Sequence, residues 1–248
     1  MNPDQLLALL DETADAVAAA LGDHEDWGPS GTKAGQYRSD LAADVAALAV
    51  LDAAGVGVLS EESGRHRLDA EVTVVVDPLD GSTNASRGIP WYATSLCAVD
   101  GDGPAAAVVV NLVSGERFAA RRGGGATRNG VPISPTAATE LGQSLVGLSG
   151  LPPHHLGWKQ FRSLGAVALD LCAVASGTLD GYIDCSPDAH GSWDYLGGLL
   201  VCQEAGAVVV DAAGRDLVVL DHGARRTPVA AASPGLLDAL VAARASFA

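Results

Sequence analysis

The chemistry in this sequence concentrates in Asp77-Pro78-Leu79-Asp80-Gly81-Ser82-Thr83-Asn84. Two aspartates flank a proline directly after Glu71–Val76, a nearly continuous apolar run of the kind found in strands buried on both faces. Pro78 fixes its own φ at about −65° and biases Asp77 away from helical ψ, so the chain turns sharply there. Both carboxylates and the Leu79 carbonyl can then converge on one point beyond the strand end. Clustered hard oxygens suit Mg²⁺, which takes one or two carboxylates together with waters and phosphate oxygens. Gly81-Ser82-Thr83 adds successive backbone N–H groups and two hydroxyls at what reads as the first turn of a helix, where free N–H groups and the helix dipole favour an anion. A metal pair beside a phosphate cradle implies phosphoryl chemistry. An isolated Asp-x-x-Asp would be read equally well as a strand-end turn in which Asp80 caps a helix; the whole string carries the metal reading.

The elements that must position this segment can be read from periodicity. Leu6, Leu7, Leu10, Ala14, Val17 and Leu21 predict an amphipathic helix over 3–21, stopped at Gly22. Residues 23–37 read as a polar loop, and 40–53 as a second helix ending before Gly55. Strands are predicted at 58–60, 71–76, 92–99, 105–112, 116–121 and 126–128, with Ser114-Gly115 and Gly123-Gly124-Gly125 as turns. The second turn lacks the Lys-Ser/Thr ending of a phosphate loop and is read as a hairpin. Residues 135–160 show no clear pattern. Beyond them come a helix over 163–176, a strand at 180–184, a helix over 193–205, strands at 207–211 and 229–232, and a helix from Pro234. Strands and helices alternating in blocks predict a layered α/β fold.

Composition narrows the function classes. The 248 residues are 48% apolar and 18% charged, enough for one globular unit or two small lobes with a sizeable core. A net charge of −15 argues against holding nucleic acid through its phosphates. No apolar run approaches the roughly 20 residues of a membrane span, and Met1–Gln5 has no basic signal-type start, so a soluble cytoplasmic protein without membrane contact is expected. Cys97, Cys172, Cys185 and Cys202 form no C-x-x-C pair and read as small buried hydrophobes.

The string from Asp77 to Asn84 resembles the first signature of the inositol monophosphatase family of metal-dependent, lithium-sensitive phosphatases. Three more segments match in order. Ser60-Glu61-Glu62-Ser63 resembles the family's metal-binding glutamate loop, and Trp193-Asp194-Tyr195-Leu196-Gly197-Gly198 its second signature. Glu204-Ala205-Gly206-Ala207, with Asp211 and Gly214, resembles the segment that follows.

The resemblance implies an α-β-α-β-α sandwich, with an N-terminal lobe over 1–134, a C-terminal lobe over 135–248, and metals where the two meet. It implies two or three Mg²⁺ ions held by Glu61, Asp77, the Leu79 carbonyl, Asp80 and Asp194. Gly81, Ser82 and Thr83 would bind phosphate. Glu61, Ser82 (a Thr in the family) and Asp44 would act on a metal-activated water that attacks phosphorus without a phosphoenzyme. Asp40 and Asp44 could instead be ordinary helix-start residues. Many relatives carry an Asp six residues before the Asp44 position, where this chain has Arg38. Lys33 is either near the metals or solvated. Substrate hydroxyls would meet the backbone of Gly165, Ala166 and Val167 and the carboxylate of Asp184. The 185–193 segment is longer than in the inositol enzymes, and Asp188 and His190 within it could reach substrate or be solvated. Arg225-Arg226 is read as surface or interface, and His154-His155 as a loop pair without a metal partner.

The expected activity is hydrolysis of a small polyol or sugar phosphate, with inositol 1-phosphate first. Histidinol phosphate, adenosine 3′,5′-bisphosphate and fructose bisphosphate are alternatives; Trp91, Tyr92 or Trp158 could stack an adenine. A phosphate-compound binder without turnover is the non-enzymatic alternative. The family also implies a homodimer.

Overall fold

The computed structural model describes residues 1–22, 24–67 and 69–247. Among these residues, two sheets and six α-helices form five layers. The first sheet contains β1 (Gly57–Ser60), β2 (Gly64–His66), β3 (Thr73–Asp80), β4 (Ala93–Asp100), β5 (Gly103–Asn111), β6 (Arg117–Arg121), β7 (Gly125–Arg128) and β8 (Val131–Pro132). Its order is β2-β1-β3-β4-β5-β6-β7-β8, antiparallel except for the parallel pair β1–β3. The second sheet contains β9 (Leu145–Ser149), β10 (Gln160–Arg162), β11 (Gly181–Asp184), β12 (Val208–Asp211) and β13 (Pro228–Ala231), in the order β10-β9-β11-β13-β12.

Side chains alternating along β3 explain the layering. Val74 and Val76 point into a core shared with α1 (Pro3–Gly22) and α2 (Arg38–Ala54), while Val75 points the other way. There it meets α4 (Val167–Ala175) and α5 (Ser192–Ala205), which fill the middle layer together with Tyr182 and Ala230 of the second sheet. On the far side Val146, Leu148, Ile183 and Val229 bury Leu236, Leu237 and Leu240 of α6 (Pro234–Ala245). The result is the α-β-α-β-α sandwich that the resemblance implies.

The helix predicted over 163–176 begins later, at Val167, because Gly165 adopts a left-handed φ of +89° and keeps the preceding residues out of the helix. Strands β2, β8, β9 and β10 were not legible in the sequence. The Gly123–Gly125 turn joins β6 to β7, and its Gly123 and Gly125 N–H groups donate to the Glu204 carboxylate on α5. It holds one of the chain's own acids, in keeping with a hairpin.

Candidate active site

Asp77 and Asp80 lie three residues apart, which in a regular strand would aim them at opposite faces. The pairing with β4 prevents this. Asp77 lies opposite Ser95 and Asp80 opposite Ala93, so β3 spends one more residue than its neighbour. The resulting bulge turns Asp80 back toward Asp77 and leaves Leu79 outside the paired register. On the other side the parallel register with β1 ends at Ser60 and Val76, and Glu61 N–H donates to the Val76 carbonyl at 3.1 Å. Glu61 is therefore the next residue out on β1, beside Asp77.

Asp194 arrives from the first turn of α5. That helix can lie close because Gly197 and Gly198 have no side chains. A Cβ on Gly197 would be 2.6 Å from Ser95 Oγ, and one on Gly198 would be 2.6 Å from Leu171 Cβ. Ligand oxygens of Glu61, Asp77 and Asp194 lie within 4.8 Å of one another. Burial, then the Asp194 and Glu62 charges, pushes Glu61 well above the usual carboxylate range. Burial and the neighbouring Glu61, Asp80 and Asp194 do the same to Asp77. Asp80 rises to about 7 through burial and Asp194. Carboxylates crowded in a buried site without a counter-charge favour their neutral forms, and a divalent cation would reverse that preference. The all-oxygen donor set fits a hard cation such as Mg²⁺.

Asp80 also ties this site to the middle layer. Its Oδ2 accepts from Ala168 N–H at 2.7 Å, and Val167 N–H is directed to the same carboxylate. Val167, expected to meet substrate through its backbone, is thus committed to Asp80. Asn84 Nδ2 donates to the carbonyls of Trp91 and Leu164, both at 2.7 Å, clamping α3 (Ser82–Arg87) onto the loop before α4. At the head of α3, Gly81 has φ +85°, and a Cβ there would lie 3.1 Å from the carbonyls of both Gly165 and Trp91. Gly165 and Ala166 therefore pack against the motif itself. Ser82 faces the acidic cavity, whereas Thr83 Oγ1 turns to the Tyr37 hydroxyl at 3.3 Å.

The cavity has a volume of about 480 Å³ and is lined by Asp40, Glu61, Glu62 and Ser82 together with Lys33, Trp193, His222 and Arg225. The upstream carboxylate at this cavity is Asp40. Its Oδ2 accepts from Tyr37 N–H at 2.8 Å, its Oδ1 is buried without a partner, and Ser82 lies against it. Burial pushes Asp40 up to about 7. The expectation for Asp44 is corrected. Four helical residues further on, roughly 6 Å along the axis, its carboxylate accepts from Ser60 Oγ beneath the glutamate loop. Arg38 pairs with exposed Asp26 and stays outside the site.

Lys33 Nζ donates to the Glu62 carbonyl at 2.8 Å, and Gln36 to the Glu62 carboxylate, which fastens the 29–37 segment to the glutamate loop. The surface reading of Arg225 is also corrected. Its guanidinium sits 5.0 Å from the Trp193 ring centroid, and the His222 ring is 4.7 Å from the same ring. His222 Nε2 in turn donates to the Glu61 carbonyl at 3.2 Å. Only spacing of cations after the second signature could have hinted at this wall. The aromatics considered for adenine are engaged elsewhere: Trp91 Nε1 donates to Asp170 Oδ1, Tyr92 packs on Trp27, and Trp158 lies in the α6 core.

Asp184 does not face an opening. It is fully buried at the end of β11, with Oδ1 accepting from Ser186 N–H at 2.9 Å, and burial raises it to about 6. The expected direct contact with substrate hydroxyls is corrected accordingly: His190, from the long 185–193 segment, lies against it.

A five-layer α/β sandwich that gathers buried carboxylates at a strand end, next to a glycine-led helix start, defines a metal-dependent phosphatase, a phosphoric monoester hydrolase. The chain belongs to the inositol monophosphatase family, whose model matches residues 40–247. It is 36% identical over 179 residues to fructose-1,6-bisphosphatase of Pyrococcus furiosus, covering 71% of this chain and 70% of that one. It is 34% identical over 195 residues to inositol monophosphatase of Mesembryanthemum crystallinum, covering 73% and 70%. The solved inositol monophosphatase of Anabaena superposes with a TM-score of 0.81 at 26% identity over 98% of this chain and 96% of that chain. Among the described residues no helix is long and apolar enough to cross a membrane.

Proposed function

We propose that the protein is a Mg²⁺-dependent phosphomonoesterase acting on a small polyol or sugar phosphate, with inositol 1-phosphate as the leading substrate. The observation that carries this reading is the convergence of Glu61, Asp77 and Asp194 within 4.8 Å, with Asp80 alongside and the α3 start adjacent. Glu61, Asp77, Asp80, Asp194 and the Leu79 carbonyl would hold two or three Mg²⁺ ions. Bound there, the ions would acidify a water and offset the charge on the transferring phosphoryl group. Gly81, Ser82 and Thr83 present backbone N–H groups to phosphate oxygens at the helix start. Ser82 orients the attacking water and Asp40 takes up its proton, so no phosphoenzyme is needed. Gly165 and Ala166 border the substrate side.

The test is phosphate release with and without Mg²⁺ for wild type and Asp77→Asn. Loss of a ligand whose ion contributes several kcal/mol to the transition state lowers kcat/KM by about 100-fold or more. Mg²⁺-independent release, or an Asp77→Asn variant as active as wild type, would refute the reading.

A second reading follows from Lys33 and Arg225, two cations on the wall of the same cavity. They favour a substrate with a second anionic group, such as fructose 1,6-bisphosphate, the substrate in the name of the Pyrococcus relative. Comparing kcat/KM for inositol 1-phosphate and fructose 1,6-bisphosphate decides between the two. The same proposal takes the enzyme as a cytoplasmic homodimer, its assembly to be checked by analytical ultracentrifugation.

A further inference from the structure

The 185–193 segment is fastened at several points. Asp188, at a left-handed φ of 50°, pairs with Arg215 at 2.6 Å, and its N–H donates to Thr227 Oγ1 at 2.9 Å. His190 exchanges backbone hydrogen bonds with Arg226 (3.2 and 2.8 Å). Its ring is therefore delivered to a fixed place, with only 13% of the side chain exposed. Nδ1 lies 3.5 Å from Asp194 Oδ2 and Nε2 lies 3.4 Å from Asp184 Oδ2, with Ser149 Oγ also 3.4 Å from Nε2. Asp184 Oδ2 is buried and has no hydrogen-bond partner of its own, so the imidazole is the polar group it meets. Asp194 Oδ2 accepts from Gly191 N–H at 2.7 Å in addition to its contact with His190. One oxygen of Asp194 is thus held by protein groups, which fixes the rotamer and leaves Oδ1 as the oxygen to offer.

We propose that His190 is a positioning residue for the cation site: buried Asp184 anchors the ring, and the ring's Nδ1 edge holds Asp194 in the orientation that ligates. The proposal rests on the phosphatase reading and assigns Asp184 a role one step removed from the substrate. Groups that orient a metal-ligating side chain usually contribute about 10–100-fold to metal affinity or activity.

The experiment measures Mn²⁺ binding by electron paramagnetic resonance, with the metal alone and no substrate. It uses the full-length wild type, His190→Ala, His190→Asn, His190→Gln, Asp184→Ala and the Asp184→Ala/His190→Ala double variant. KM and kcat for inositol 1-phosphate are read in parallel at saturating Mg²⁺. His190→Ala is expected to weaken Mn²⁺ binding by about tenfold or more. His190→Asn restores most of it, since its Nδ2 takes the place of Nδ1, whereas His190→Gln, whose amide reaches the Nε2 side, does not. Asp184→Ala weakens Mn²⁺ binding in the same direction, and the double variant is no worse than His190→Ala alone, as expected of residues acting in series.

A rise in KM for Asp184→Ala with unchanged Mn²⁺ affinity would overturn the proposal in favour of direct substrate contact. Equal behaviour of the Asn and Gln variants would also overturn it, and this comparison still applies should the alanine variant fail to fold. Wild type that neither binds Mn²⁺ nor hydrolyses the substrate would overturn the phosphatase reading and the proposal together. Wild type that does both, with His190→Ala matching its Mn²⁺ affinity, would overturn the proposal alone.

Discussion

Asp77 and Asp211 are the same residue type, one just before the β3 bulge and one at the end of β12, and both are buried, at 1% and 3% exposure. Their surroundings are opposite. Asp211 accepts from Thr227 N–H and from Arg215, whose Nε and Nη2 lie 2.7 and 3.0 Å from its two oxygens. Burial alone would push Asp211 up, but the Arg215 guanidinium and the Thr227 and Arg215 N–H groups more than reverse this and hold it below the usual carboxylate range. Asp77 accepts one N–H, from Leu79 at 3.0 Å, and otherwise faces Glu61, Asp80 and Asp194. Burial says little about the role of an acid here; the sign of its neighbours says a great deal. Asp211 is a finished structural joint, whereas Asp77 lacks a positive charge that the protein does not supply.

The contrast is tested most severely by the matched pair Asp77→Asn and Asp211→Asn. The first should leave the metal-free protein as stable as wild type or more so, because it replaces a buried carboxyl crowded by Glu61, Asp80 and Asp194 with an amide that carries no charge at any pH. The second removes a charged acceptor from Arg215 and should cost about 1–3 kcal/mol. For a chain of this size each kcal/mol lowers Tm by about 2–4 °C. Scanning calorimetry in EDTA reads both, and equal melting temperatures for the two variants would break the comparison.

A smaller effect separates Asp40 from Asp44. Asp40→Asn should lower kcat about tenfold, below the roughly 10²–10⁴-fold typical of a full general acid or base, since Ser82 remains. Asp44→Asn should keep kcat within about twofold and weaken the buried contact to Ser60, a loss of about 1 kcal/mol. Steady-state kinetics with thermal melts of both variants check the assignment, and a larger kinetic loss for Asp44→Asn would reverse it.

The smallest effect is a pH trend. Asp40 and Asp80 sit at about 7 in the folded protein, against roughly 4 for an unfolded Asp. Between those values the native state binds more protons than the unfolded chain, so metal-free stability should fall as pH rises from about 4 through 7 and then level off. Asp211 works in the opposite sense: its contribution is full above about pH 4 and is lost as pH falls through its depressed value. Melting curves in EDTA should therefore decline toward neutral pH, and the rise in Tm on adding Mg²⁺ should be largest above pH 7. A Mg²⁺ shift independent of pH would show that the cluster is not charge-starved.

Much of this arrangement was legible in the sequence because local rules and global fold agree there. The valines before Asp77 announce a strand buried on both faces, and the Leu6–Leu21 spacing gives α1 directly. The 135–160 region was not legible, for identifiable reasons. Strand β9 carries Gly147, tolerated because a Cβ there would come within 2.9 Å of Leu179, and β10 is a three-residue edge strand exposed throughout. The sequence favoured Asp44 over Asp40, one helical turn away on the same buried face of α2; only the fold, which sets Asp40 against Ser82 and Asp44 against Ser60, separates them. Arg225 gained its meaning from the Trp193 ring, 32 positions earlier in the chain.

The extra residue that β3 carries against β4 has a further consequence. Because side chains alternate along a strand, pairing β3 with β4 residue for residue beyond Asp77, without the extra residue, would swing Asp80 through to the sheet's opposite side, toward the apolar packing under α1 and α2. Substitutions along this stretch change one group at a time, but a one-residue slip that straightened the strand would both dismantle the cation cage and drive a carboxylate into oil.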